Sequence, residues 1–133
     1  FIYQVTHIPT ARKYIGKKVL FFERNKRLGK KALAALKEDR KAKGLKGRTP
    51  LKQKIVTESD WKTYYGSHKE ILELIKEEKH GEFKREILQY VPSKKLLTYY
   101  ECKYLFIKEV LENRDGYIND NILGKFYRKD FDL

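Results

Sequence analysis

The 133-residue sequence contains one cysteine, Cys102, and no methionine at all. A lone cysteine excludes an intramolecular disulfide framework and any cysteine-rich zinc site, so the fold must stand on its core. Methionine is missing even from position 1, and the sequence is therefore expected to lack its initiator residue. The three histidines, His7, His68 and His80, lie far apart and show no helical pairing for a metal, so each reads as a surface or capping residue. No apolar run approaches the roughly 20 residues that span a bilayer. The N-terminus also lacks the basic, apolar, small-residue order of a signal peptide. A soluble intracellular protein with no membrane partner is the expectation. A glycine-rich phosphate loop, a Cys-His zinc finger and internal repeats are absent too.

What the sequence does have is a hydrophobic fraction of 41% and an aromatic fraction of 14%, enough for one compact domain. It also has charge in one place. Between Arg12 and Lys54 there are 17 Lys/Arg and three acids, Glu23, Glu38 and Asp39, whereas the remainder is nearly neutral. A surplus so confined suits a polyanion, because each neutralised phosphate releases condensed counterions. Composition alone fits a solvated helix face or a partly disordered basic tract equally well.

Alternation predicts a strand over Phe1 to His7, with Phe1, Tyr3 and Val5 on one face. Pro9 and Thr10 mark a turn, and Lys13 to Phe22 returns as a second strand around Gly16. Asn25 to Lys43 reads as helix, with Gly44 as its stop, and Leu45 to Lys54 as loop. Together they form a basic insertion at about 25–54 within a single domain spanning 1–133. Ser67-His68-Lys69-Glu70 has the form of a capping box that opens a second helix, ended by His80-Gly81. Glu82 to Val91 is a third strand, stopped by Pro92, and Ser93 caps a long helix running to about Asn113. The sum is an α+β domain: a small three-stranded antiparallel sheet flanked by helices, with a basic helical insertion.

Glu101 is the residue most open to a chemical reading. Its helical neighbours four back, three ahead and four ahead are Leu97, Tyr104 and Leu105, which puts a carboxylate on a largely apolar face. Such a group needs a cation, a hydrogen-bond network or a metal ion. A structural ion pair with Lys103 or Lys108 and a functional role are both open at this point. Tyr3 and Tyr14 fall on adjacent strands, where their rings can meet. Trp61, Tyr64 and Tyr65 read first as packing residues, although aromatics near a basic surface also stack on bases.

The ordered set of motifs resembles a known family. Phe1-Ile2-Tyr3, followed by Tyr14-Ile15-Gly16, is similar to the two-tyrosine signature of the GIY-YIG nucleases, with Phe1 where the first glycine usually lies. Trp61 to Ser67, Phe83 to Leu88, Tyr99-Tyr100-Glu101 and Tyr117 to Ile122 follow in an order that resembles the Seg-type phage homing endonucleases, most closely their SegE-like branch. The resemblance runs from Phe1 to about Lys125.

That resemblance implies a DNA endonuclease that hydrolyses phosphodiester bonds of double-stranded DNA with one divalent ion, Mg²⁺ or another such as Mn²⁺. A phage-encoded enzyme would act in the cytoplasm of a bacterial host. The resemblance further implies that Glu101 is the metal ligand, that Tyr3 and Tyr14 are the signature tyrosines, and that Asn119 supports the site, with Asn121 an equally spaced rival. Gly16 would let the strand approach the phosphate. Many relatives carry a catalytic arginine on the domain's first helix, but none occurs between His68 and Lys79. Arg85 is the expected substitute, as a core-strand guanidinium needs an anionic partner. Lys17 and Lys18 are further candidate cations. With Arg24, Arg27, Lys30, Lys31, Arg40 and Arg48 they are expected to contact DNA, giving salt-sensitive affinity with little sequence discrimination. The alternative is a catalytically inactive nucleic-acid-binding protein on the same fold.

Overall fold

The computed structural model describes residues 1–78 and 82–132. The expected helix stop at His80-Gly81 lies outside the described residues. Contacts divide the chain into two compact units, one of Phe1–Leu20 with Asp60–Leu133 and one of Phe21–Ser59.

The first unit is built on β1 (Ile2–His7), β2 (Arg12–Lys17) and β5 (Phe83–Gln89), in the spatial order β2-β1-β5 with both pairings antiparallel. This is the expected three-stranded antiparallel sheet. Its central strand β1 is covered on both faces, so that even the polar Gln4 is buried. Phe1, Tyr3 and Val5 pack on one side with Ile71, Phe83 and Ile118, while Ile2 packs on the other with Ile15, Leu97 and Leu105. Helix α2 (Lys69–Glu78) supplies Ile71 to the first cluster, and α3 (Lys94–Ile107) supplies Leu97 and Leu105 to the second.

Ser93 caps α3 as expected, its hydroxyl accepting from the Leu96 amide at 3.1 Å. The helix stops at Ile107, however, well short of Asn113. Glu109 adopts the left-handed backbone, φ 50°, while the Glu109 amide bonds to the Phe106 carbonyl and the Val110 amide to the Leu105 carbonyl. These are the paired bonds of a Schellman turn, ordinarily announced by glycine. Burial of Val110 and Leu111 in the α3 cluster compensates a non-glycine residue in that conformation.

The second unit is a hairpin of β3 (Phe21–Arg27) and β4 (Lys52–Glu58), joined by a connection that contains α1 (Lys30–Ala42). Three sequence boundaries are corrected here. The strand expected over Lys13 to Phe22 is two, β2 ending at Lys17 and β3 starting at Phe21. The helix expected from Asn25 starts at Lys30, because Asn25 to Arg27 pair with Lys54 to Lys52. The loop expected up to Lys54 gives way to strand at Lys52. No residue of α1 is buried, and its Ala32, Ala35 and Leu36, with Leu28 from before the helix, line an open groove with Lys52 and Gln53. Among the described residues no helix is long and apolar enough to cross a membrane.

Candidate active site

Strand β2 lies at the edge of its sheet, and its outer backbone groups need partners. Segment 116–119 provides them. Lys13 bonds through its amide to the Gly116 carbonyl and through its carbonyl to the Ile118 amide. The Asn119 side chain continues the ladder, accepting from the Ile15 amide at 3.0 Å and donating to the Ile15 carbonyl at 2.9 Å. Between Asn119 and its rival Asn121, only Asn119 is buried against β2. Asn121 donates to Asp120 and accepts from the Gly124 amide. Segment 116–119 is held in turn by Arg128, whose guanidinium donates to the carbonyls of Val110, Leu111, Tyr117 and Asn119. No motif pointed to Arg128.

Removing the Asn119 amide strips two buried backbone groups of their partners. Asn119→Ala should lose about 2–4 kcal/mol of stability at every pH. Asn119→Asp keeps the acceptor for the Ile15 amide but sets an oxygen against the Ile15 carbonyl, so it fits only when protonated. Its folded pKa then lies above its unfolded one, and its stability should fall as pH rises from the ordinary aspartate range toward neutrality. Denaturant melts of both variants at pH 4.5 and 7.5 read the difference.

Tyr14 and Lys17 on β2, His68 before α2, Glu101 on α3, and Asn119 and Asp120 line a cavity of about 330 Å³. The Tyr3 and Tyr14 rings do meet, at 6.4 Å between centroids. They meet diagonally, since the register sets Val5 opposite Tyr14 and Gly16 opposite Tyr3. Tyr3 is fully buried and is not among the cavity's lining residues. Burial, then the neighbouring Tyr14, Tyr64 and Glu101, push its phenol far above the ordinary value. Tyr14 faces the cavity, where burial and then Glu101 push its pKa up to about 12. The Cβ direction of Gly16 is turned to these rings, for a Cβ there would lie 2.6 Å from Tyr3 Cζ and 3.0 Å from Tyr14 Cε1.

Glu101 sits between the buried Leu97 and Leu105, as its spacing predicted. Burial raises its pKa, while the Lys17 ammonium and a hydrogen bond from the Lys17 amide pull the other way. The countercharge is thus Lys17 rather than Lys103 or Lys108, and Lys103 lies over the Tyr100 ring instead. The Lys17 Nζ donates to the Thr98 hydroxyl at 2.6 Å.

Two of the other expected cations have partners of their own within the first unit. Arg85 donates to the carbonyls of Trp61, Lys62 and Tyr64 and stacks over the Tyr65 ring, so its partners are main-chain oxygens that pin segment 61–65. It does not line the cavity. Lys18 pairs with Asp60 at 2.6 Å and lies over the Tyr64 ring. Arg24 and Arg27 are on β3, Lys30, Lys31 and Arg40 on α1, and Arg48 in the following loop, all within the second unit.

His68 is the lining residue whose chemistry the sequence understated. The capping-box pattern pointed to Ser67 as cap and Glu70 as its partner. In the fold His68 Nδ1 accepts from the Glu70 amide at 3.2 Å, and the Glu70 carboxylate pairs with Arg12 at 2.8 Å. Among the described residues no group of three or more His, Cys, Asp or Glu could form a metal cluster. The carboxylates lining the cavity are Glu101 and Asp120, and a cation resting on one or both with water or substrate oxygens would be a hard ion such as Mg²⁺.

Residues 1–122 match the family model described as "Putative endonuclease segE, GIY-YIG domain". No curated protein and no solved structure gives a significant match.

Proposed function

The chain belongs to the segE GIY-YIG endonuclease family, and from that premise we propose that it hydrolyses phosphodiester bonds of double-stranded DNA with a divalent metal ion at Glu101. We read it as a phage homing-type nuclease whose basic insert, Phe21–Ser59, grips DNA. The observation that carries the reading is the cavity itself, lined by a half-buried carboxylate, a phenol and a lysine.

Glu101 has the oxygen chemistry to hold Mg²⁺ or Mn²⁺, and the Lys17 amide fixes its orientation. A divalent ion, when bound, supplies positive charge to the phosphate and acidifies water. Tyr14, with a pKa of about 12, keeps its proton at neutral pH, so its hydroxyl can accept a hydrogen bond from the attacking water or donate one to a phosphate oxygen. Tyr3 acts as a strut, holding Tyr14 and Gly16 in place from the interior. The insert carries 13 Lys/Arg against four Asp/Glu, which suits contact with the phosphate backbone.

Metal removal tests the reading. Plasmid DNA should be nicked or linearised in Mg²⁺, and EDTA should stop cleavage while salt-sensitive DNA binding persists. Unchanged cleavage in EDTA would overturn the metal assignment. Binding without products under any metal would favour the inactive binding protein.

A further inference from the structure

We propose that His68 is a catalytic residue that donates a hydrogen bond from Nε2 to a phosphate oxygen in the cavity, as a neutral imidazole. This rests on the nuclease reading above. Three observations support it. The Glu70 amide points at Nδ1, and since a backbone amide can only donate, Nδ1 must accept. The proton of the neutral ring therefore sits on Nε2. Nε2 lies on the cavity side, where the Asp120 carboxylate is 3.9 Å away, beyond the reach of a hydrogen bond.

The ring is held on its other sides. It packs on Tyr14 at 5.5 Å between centroids, and its carbonyl accepts from the Leu72 amide, which makes His68 the residue that opens α2. Arg12 anchors the same turn through Glu70. A donor held this way needs no reorganisation when charge develops on a phosphate oxygen, and the positive end of the α2 dipole adds to its attraction. Among the described residues of the first unit no arginine lines the cavity, and the Lys17 ammonium is engaged by Thr98. The Nε2–H bond stays intact throughout: His68 stabilises charge and transfers no proton.

Two substitutions separate the capping and donor roles. His68→Asn keeps an oxygen that can cap α2 but is too short to present a donor in the cavity. His68→Gln reaches about as far as Nε2 with an amide N–H but caps poorly. We expect His68→Asn to cleave about 10²-fold more slowly with unchanged melting temperature. His68→Gln should melt earlier yet keep cleavage within about tenfold. Wild-type cleavage by His68→Asn, or activity that follows melting temperature across both variants, overturns the proposal.

A second readout does not depend on cleavage. Nitrogen-15 spectra of wild-type imidazoles should show His68 as the Nε2–H tautomer, with its signal shifting when a short DNA duplex is added. An Nδ1–H tautomer, or no shift, overturns the proposal. If the wild type fails to cleave in any divalent metal, the nuclease reading falls, and the spectra still decide whether His68 meets phosphate.

Discussion

Glu101→Gln is expected to slow metal-dependent cleavage by about 10³-fold or more while leaving the protein at least as heat-stable as the wild type at pH 7.5. Glutamine has the same shape and still accepts from the Lys17 amide, but it lacks the anionic oxygen a hard cation requires. The stability effect follows from the direction of the Glu101 shift. Burial holds its proton in the folded state to a higher pH than in the unfolded chain, despite the opposing pull of Lys17. Between those two values the folded state binds more protons, so wild-type stability falls as pH rises through them. Glutamine carries no such penalty. The gain in melting temperature should therefore be present at pH 7.5 and fade as pH approaches the ordinary glutamate value near 4.5. DNA binding in EDTA should be unchanged. Cleavage at the wild-type rate would remove Glu101 from the metal site. Loss of cleavage together with a lower melting temperature at pH 7.5 would make it a structural carboxylate.

How far the fold could be read in advance depended on where its information is local. The sheet of the first unit was legible because β1 alternates cleanly and glycine, proline and the Ser93 cap punctuate its neighbours. The Schellman turn after α3 was not, since Glu109 carries no sign of a left-handed backbone and the turn is enforced by burial of Val110 and Leu111. The β3-β4 hairpin was missed for a related reason. Its strands are separated by 24 residues including a helix, and Lys52, Gln53 and Lys54 are polar residues whose strand conformation comes from pairing with β3.

For the candidate site, spacing on one helix exposed Glu101, and the two-tyrosine signature pointed to Tyr14. Both line the cavity. The role of Asn119 against Asn121 was undecidable from spacing, because it turns on which amide reaches the free edge of β2. Arg85 illustrates the limit most sharply. A guanidinium on a core strand does need acceptors, as argued, but backbone carbonyls of segment 61–64 satisfy it as well as an anion does. The sequence reads His68 as a surface or capping residue, and in the fold it caps. That one ring nitrogen caps while the other faces a cavity is a fact of tertiary packing.

Gly16→Ala should be the most disruptive single-methyl change in the first unit. A Cβ at this position would fall on the Tyr3 hydroxyl and 2.6 Å from Tyr3 Cζ. Tyr3 cannot retreat, being 1% exposed and packed edge-on against Phe1 and Tyr64 at 6.0 and 5.9 Å. Gly66 closes the other side, with φ 116° and its own Cβ direction 3.2 Å from the same hydroxyl. The methyl must therefore displace β2 or the tyrosines, which should destabilise the protein by about 2–3 kcal/mol. Cleavage should fall further than the unfolded fraction explains, because Tyr14 Cε1 is the third atom the methyl meets, at 3.0 Å. A double-mutant cycle with Tyr3→Phe identifies the cause. Phenylalanine removes the nearest clashing atom, so the double variant should be more stable than the sum of the single changes by about 1 kcal/mol. Additive losses would mean that backbone strain, rather than the Tyr3 ring, excludes alanine.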